Sequence, residues 1–349
     1  MELWITDRFK NRRIQYFNDF QIDLKHDSVA STFGFKFYFD PNNEAHRELA
    51  CVSHFHEAEL WHEGELILTG FILSQEFSVS SVEEMASFTG YSKPGVLEDC
   101  EIPPSLYPLQ SDGLSLKQIA QKLLKPFKLK MEIDPDVEAR VNKVFPKSTA
   151  TETQKIKDYL YEMAKQKNIV LSHNAKGELL FTETKSKQTP ILDFDLTNGT
   201  LPGTKFKFTY SGQQMHSHIT LQRQASETGG NAGEYTIRNP YVLIVYRPTV
   251  KSQTSGDDND TSLASRRELS NELRNLKLTI ETDRWIVNKK IIRPNNLISI
   301  IAPKLYIFKK TNFLIEEVSL NGNEKSTTAT LTCVLPEVYT NEVPKSIYA

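Results

Sequence analysis

GELILTGFILSQEFSVSS (residues 64–81), FTGYSKPGVLEDCEIPPSLYPL (88–109) and LSLKQIAQKLLKPF (114–127) follow one another between Gly64 and Phe127. The first segment leaves a His62-Glu63-Gly64 turn and runs through β-branched and aromatic residues to Val79 with little helical period, which predicts a strand pair. The second holds Gly90, Pro94, Gly95, Pro103, Pro104 and Pro108, too much punctuation for a long helix or a central strand. In the third, Leu116, Ile119, Ala120, Leu123 and Leu124 share one helical face, and Ser115 with Gln118 makes a capping-box pattern. A β-domain therefore ends inside this stretch, and a second unit begins.

Upstream, Phe33, Phe35, Phe37 and Phe39 alternate with Gly34, Lys36 and Tyr38, the period of a strand with one buried face, and Asp40-Pro41-Asn42-Asn43 supplies a turn. Cys51–Trp61 and Glu65–Ser80 read as a hairpin. Many short strands with aromatic faces predict a closed or nearly closed barrel over residues 1–105. Residues 106–184 read as a small α+β domain. Leu129–Ile133 is a short strand, and Thr149–Lys167 a helix with Thr149 and Glu152 as its capping box. Ile169–Ser172 and Glu178–Thr182 form a hairpin about a polar turn at 173–177.

Strands return over 185–349, with an inserted loop and helix at about 240–278. Thr204–Gly212, carrying Phe206, Phe208 and Tyr210, echoes Thr32–Asp40 in period; any half-buried strand alternates, so the echo is weak evidence of duplication. Tyr241–Arg247 (YVLIVYR) reads as a strong apolar strand, a core strand before a subunit contact. Ser252–Ser262 cannot build a core and is expected to be a mobile loop. A helix follows, with Leu269, Leu273 and Leu276 inward and Ser265 with Glu268 as its cap. Phe313–Leu320, an Asn321-Gly322 turn and Thr327–Leu335 close the chain as a hairpin.

At 349 residues there is room for two or three domains, and a net charge of −2 argues against a dedicated nucleic-acid binder. Lys122, Lys125, Lys128 and Lys130 read as a solvated face. No apolar run approaches the roughly 20 residues that cross a bilayer, and the N-terminus lacks a signal-peptide core. Cys51, Cys100 and Cys333 are odd in number and far apart, which fits folding in a reducing cytoplasm.

One cluster has the chemistry of a metal site: His54, His56, Glu57, Glu59 and His62. Imidazoles two apart on a strand share a face and can bind zinc, but a polar strand face near a turn is the commoner meaning. His216 and His218 repeat that spacing. Cys100 is flanked by Asp99 and Glu101, which disfavour its thiolate. Neither a Gly-x-Ser-x-Gly elbow nor a phosphate loop occurs, and carboxylate pairs for glycoside hydrolysis leave no sequence spacing to read. The expectation is a protein that is not an enzyme, with no catalytic, cofactor-binding or metal-binding residues and no cofactor.

Several motifs also carry a resemblance. Leu68-Thr69-Gly70 sits between strands, and GYSKPGVLEDC (90–100) precedes the proline-rich crossing and the helix ending in Pro126-Phe127. KVFPKSTATETQKIKDYLYEMAKQKNIVLSHNAKGELLFTE (143–183) gives a capped helix, an apolar strand, a turn and a second strand. RPTV (247–250), RRELSNEL (266–273), TIETDRW (279–285), RPNNLISI (293–300) and VLPEVY (334–339) follow in order. Together, from about Leu66 to Tyr339, they resemble the baseplate hub proteins of bacteriophage Mu and related contractile-tail phages, the late control or tail hub family. The resemblance implies a mainly β fold with two β-barrel tube domains and smaller inserted domains. It implies a homotrimer whose six similar barrels form a pseudo-sixfold ring, adapting a hexameric tail tube to a trimeric cell-puncturing spike. It implies as partners the spike, tail-tube and inner baseplate proteins, with the tape measure and genome DNA passing through the lumen. Its place is then the virion tail baseplate, after synthesis in the host cytoplasm. Met1–Asp27 corresponds least. The same features also suit the hub of a bacterial contractile injection system or tailocin. Two further classes remain open: a spike-associated peptidoglycan hydrolase, and a glycan-binding module built on residues 106–184.

Overall fold

Strand follows strand through the first ninety residues of the computed structural model, which describes residues 1–6, 11–14, 17–81, 84–223, 233–253, 261–323, 325–344 and 346–348. They are β1 (Glu2–Thr6), β2 (Asn11–Ile14), β3 (Asp19–Lys25), β4 (Thr32–Tyr38), β5 (Glu57–His62), β6 (Glu65–Val79) and β7 (Glu84–Ser92), with helix α1 (Glu44–Leu49) between β4 and β5. All neighbours are antiparallel, in the order β2-β1-β5-β6-β7-β4-β3. Among the described residues no pairing closes this path into a cylinder.

β4 is an interior strand of this layer, paired with β3 on one side and β7 on the other. Its alternation is realised: Phe33, Phe35 and Phe37 are buried on one face. Full burial of each is worth roughly 1.5–3 kcal/mol. Phe35 stands opposite Phe20 and Phe88 in the two ladders, and the ring of Phe17 lies 4.8 Å away. Phe33 fits because two neighbours have no side chain. A Cβ at Gly90 would come within 2.5 Å of its ring and 2.0 Å of the Phe71 carbonyl oxygen, and one at Gly70 within 2.8 Å and 2.1 Å of that ring and the Tyr91 carbonyl.

The chain leaves β7 through a tight turn at Lys93–Gly95 and builds an α+β module. Its elements are α2 (Val96–Asp99), α3 (Leu116–Leu124), β8 (Met131–Ile133), α4 (Glu138–Asn142), α5 (Ile156–Gln166), β9 (Val170–His173) and β10 (Leu179–Thr182). β10 is central, parallel to β8 and antiparallel to β9. Ile119 and Leu123 of α3, Leu160 of α5, and Leu171, Leu179 and Phe181 of the sheet share one core. The capping box at α3 forms as read: Gln118 N–H donates to Ser115 Oγ at 3.3 Å, and Ser115 N–H to Gln118 Oε1 at 2.9 Å. The one expected at Thr149 and Glu152 does not. Thr149 is bridged to Gln110, and α5 starts only at Ile156, after Lys155.

These residues, with Asp283–Pro294 and Glu317–Ala329, make one compact unit; Thr184–Thr282, Asn295–Glu316 and Thr330–Ala349 make a second. The second unit contains β11 (Leu192–Asp195), β12 (Thr204–Tyr210), β13 (His218–Arg223), β14 (Glu234–Arg238), β15 (Pro248–Gln253), α6 (Thr261–Leu273) and β16 (Leu276–Thr282). After β17 (Ile286–Val287) and β18 (Lys290–Ile291) of the first unit come β19 (Leu297–Ala302), β20 (Ile307–Asn323), β21 (Thr327–Val334) and α7 (Glu337–Thr340). In the second unit β12 pairs with β16, β11 runs parallel to β19, and β19 pairs with the first half of β20. A separate three-stranded sheet has the order β14-β13-β15, and α6 packs on it through buried Leu269 and Leu273.

Several expectations change here. The strand of the first hairpin begins at Glu57 and not at Cys51, because Ser53 and Phe55 hold positive φ of 72° and 48°. Tyr241–Arg247 is not a strand, and of its residues only Tyr241 is buried, Leu243–Tyr246 being exposed. β14 and β15 flank opposite edges of β13, so residues 239–247 must cross from one edge to the other, and topology overrides strand propensity. α6 starts at Thr261, which puts Ser265 inside the helix, its hydroxyl donating to Thr261 O at 2.6 Å, while Leu276 opens β16. Most of the expected loop at 252–262 lies outside the described residues, Ser252 belonging to β15 and Ser262 to α6. Asn321 and Gly322 are strand, not turn, paired with Gln21 and Phe20 of β3. A Cβ at Gly322 would lie 2.4 Å from the Phe20 ring, so this glycine makes room for an aromatic rather than a bend.

Candidate functional site

The histidine cluster of the sequence is dispersed by the fold. His54 and His56 precede β5 in a turn; their rings are 5.2 Å apart, and Cys51 Sγ is 3.5 Å from His54 Nε2. Glu57 pairs with Lys93 at 3.0 Å, and Glu59 accepts from Trp61 Nε1 at 3.0 Å. His62 lies against Trp285 at 5.0 Å, with burial lowering its pKa. Among the described residues no group of three or more His, Cys, Asp or Glu is placed to hold a metal ion. Burial, and then Asp99 and Glu101, push the Cys100 thiol up, away from nucleophilic character. Lys125, Lys128 and Lys130 are exposed, while Lys122 donates to Pro108 O at 3.2 Å. No helix of the described residues is long and apolar enough to cross a membrane.

What the first unit does build is a docking joint between its strand layer and its α+β module. The tip of the β9–β10 hairpin is pressed onto the layer. Thr69 Oγ1 donates to Ala175 O at 2.8 Å, and His173 Nε2 stands 2.6 Å from Ser31 Oγ. His173 Nδ1 is 3.0 Å from the Asn174 carbonyl, which can only accept, so the proton sits on Nδ1 and Nε2 accepts from Ser31. Ser31 is held in turn, its N–H donating to Ser92 Oγ at 3.1 Å, and Ser92 Oγ donating to Val29 O at 2.6 Å. Burial pushes the His173 imidazole down to about 4, with Arg293 adding to the effect and the Asn174 hydrogen bond opposing it. Gly177, at φ 72°, completes the tip: a Cβ would meet the Lys93 side chain at 2.8 Å. Arg293 ties its own segment to β6, donating to Ile67 O at 3.1 Å and Leu66 O at 2.6 Å. A neutral imidazole held at both ring nitrogens is a strut, and among the described residues no carboxylate is hydrogen-bonded to it to make it a base.

The second unit has a comparable buried node. The Glu272 carboxylate, on α6, accepts from the His216 backbone N–H at 2.8 Å and from Asn239 Nδ2 at 3.2 Å, and His216 Nδ1 lies 2.7 Å from its other oxygen. Of the sequence pair His216 and His218, only the first enters this node; His218 faces Tyr246, ring to ring at 5.5 Å. Arg274, Glu316 and Tyr339 form a further polar triad, with Arg274 also over the Tyr339 ring at 4.8 Å. The sequence reading missed both His173 and Glu272 as anchors. His173 ends an apolar strand segment, Ile169-Val170-Leu171-Ser172, and that was its one available signal. Glu272 sits between Leu269 and Leu273 on the buried helix stripe, where a carboxylate demands partners.

Against this background the comparisons with known proteins are informative. Residues 94–183 match the family model described as "Baseplate hub protein gp44-like, second domain". That span coincides with the docked module. The baseplate hub protein gp44 of Escherichia phage Mu is 24% identical over 294 residues, covering 78% of this chain and 73% of its own. The 43 kDa tail protein of prophage MuSo2 from Shewanella oneidensis aligns over 97% of this chain and 99% of its own, with a TM-score of 0.80 at 17% identity. A tail protein from Neisseria meningitidis MC58 aligns over 98% of both chains, with a TM-score of 0.75 at 16% identity. At such identities the structural likeness is one of fold. The resemblance to Mu-type hub proteins and the mainly β architecture, both expected from the residues, are borne out.

Proposed function

We propose that this chain is the structural hub of a contractile-tail baseplate. Three copies form a ring with pseudo-sixfold character that adapts a hexameric tail tube to a trimeric spike. One observation carries the reading: a gp44-like second domain sits within a chain related to a hub protein over most of its length. The strand layer around β4 supplies one tube domain (residues 1–105), the α+β module an insertion (106–184), and the remainder (185–349) the second tube domain.

The mechanism is mechanical. A hub transmits load between tube and spike, so its modules must not shear, and the His173–Ser31 and Thr69–Ala175 bonds tie module to layer. Subunit contacts work through buried apolar area and hydrogen-bonded edges rather than catalysis. Spike, tail-tube and inner baseplate proteins are the partners, and the lumen passes the tape measure and DNA. The chain acts in the virion.

Quantitative mass spectrometry of purified tails tests this. The expected result is this chain in the baseplate at three copies per particle, co-purifying with the spike after mild disruption. Its absence from intact tails would overturn the proposal. Lytic activity of the pure chain in a peptidoglycan zymogram would favour the hydrolase class instead.

A further inference from the structure

Residues 239–247 leave an arch whose composition and setting conflict. Leu243, Ile244, Val245 and Tyr246 form an uncharged β-forming run, yet all four are exposed, Ile244 at 97% and Tyr246 at 75%. The arch is pinned at its feet: Val242 N–H donates to Asn239 O at 3.3 Å, Arg247 N–H to Ser217 Oγ at 2.8 Å, and Ser217 N–H to Arg247 O at 2.8 Å. Between the feet, the backbone of Leu243–Tyr246 makes no hydrogen bond among the described residues. An apolar run with unpaired donors and acceptors fits one kind of occupant, an extended strand edge that also offers apolar side chains.

The same unit exposes such an edge. β12 pairs only with β16 among the described residues, leaving its other edge open. Phe206 and Phe208 are half-buried there, and Tyr210 is 43% exposed. The two features are neighbours, since Tyr210 Oη donates to Tyr241 O at 2.8 Å at the foot of the arch. The apolar surface continues through rings: Tyr241 meets Tyr348 at 5.9 Å, Tyr348 meets Tyr306 at 5.5 Å, and Tyr306 meets Phe308 at 5.1 Å. Surfaces of this kind on a water-facing chain mark an interface.

We infer that the arch Leu243–Tyr246 of one copy of this chain docks along the free β12 edge of a second copy, adding a strand to it. The inference rests on the proposed ring and names the surface that closes it. Arch and edge are different patches, so the contact can pass from copy to copy, and it closes a ring where the rotation between copies allows. Residues 243–246 carry no charge, and on β12 Lys205 is paired with Glu281 at 2.9 Å while Lys207 is exposed, so no like charges meet between arch and strand.

The test combines light scattering with hydrogen exchange on the full chain. It compares the wild type with Ile244→Asp and with Val79→Asp, a control at an exposed apolar side chain of the first unit. Wild type and V79D are expected to self-associate, and I244D to associate more weakly by on the order of thirtyfold or more. The circular dichroism of I244D stays unchanged, and its melting temperature matches that of the wild type at concentrations where both are monomers, because Ile244 is 97% exposed. Amides of both 204–210 and 243–246 gain protection in the wild-type assembly relative to I244D. A wild type that is monomeric at every concentration overturns the inference, as does an I244D assembly of wild-type affinity. Protection at the arch without protection at β12 overturns the stated occupant and points to a tube or spike protein. None of these outcomes bears on whether the chain is present in tails, so the hub proposal stands or falls separately.

Discussion

β4 and β12 carry almost the same sequence pattern, TFGFKFY and TKFKFTY, and meet opposite fates. β4 is paired on both sides, and its three phenylalanines are buried. β12 is paired on one side among the described residues; Phe206 and Phe208 are only partly buried, and Tyr210 is exposed. Alternation states that a strand has two unlike faces. It does not state how many neighbours that strand has, and the neighbours decide how far its apolar face leaves water. β4 therefore reads as a pillar of the fold, and β12 as a strand with one edge left open among the described residues.

The sharpest way to break that contrast is Phe35→Ala. Its ring is enclosed by Phe17, Phe20 and Phe33, so truncation is expected to cost roughly 3–5 kcal/mol in chemical denaturation. A loss below about 1 kcal/mol would mean that β4 is not the pillar its burial suggests.

Next in size is a pH effect in the same unit. His173 has a pKa of about 4 when folded and 6.5 in the ordinary state, so the folded chain binds fewer protons over that interval. The stability that depends on the neutral ring is fully present above about pH 6.5 and is lost as pH falls towards 4. The loss by pH 4 should be on the order of 3 kcal/mol. It should show as falling denaturation midpoints, absent in His173→Gln. A wild-type slope equal to that of H173Q would show that the joint does not depend on this imidazole.

Gly322→Ala comes third, at roughly 1–3 kcal/mol, because the new Cβ meets the Phe20 ring at 2.4 Å. Phe20→Leu in the same chain should recover part of that loss, since a smaller side chain yields the space. Additive losses in the double mutant would remove the ring from the explanation.

These cases also show what could be read ahead of the structure. The Ser115–Gln118 cap is legible because both partners lie within one turn, and Phe33, Phe35 and Phe37 because period alone assigns them to one face. The resemblance to hub proteins is legible from motif order, which tolerates weak individual motifs. Asn321-Gly322 misleads because its reason for being glycine, Phe20, is three hundred residues away in the chain. YVLIVYR misleads because the need to cross from β14 to β15 is a property of topology. Of the candidate side chains, the His54 cluster was conspicuous and is scattered. His173 and Glu272 were inconspicuous and are anchors, since burial and partnering are set by contacts that no local window contains.

The smallest effect should come from Phe208→Ala, and it sharpens the contrast most. The ring already faces water in part and meets Phe313 only at 6.2 Å, so the monomer should lose about 1 kcal/mol, well under the loss at Phe35. If β12 is completed by a second copy, the same truncation should weaken self-association by more than it weakens folding. Light scattering and denaturation on one preparation separate the two. Equal, large losses of folding stability at Phe35 and Phe208 would mean that an edge strand can be a pillar, and that the difference in pairing between β4 and β12 carries no energetic weight.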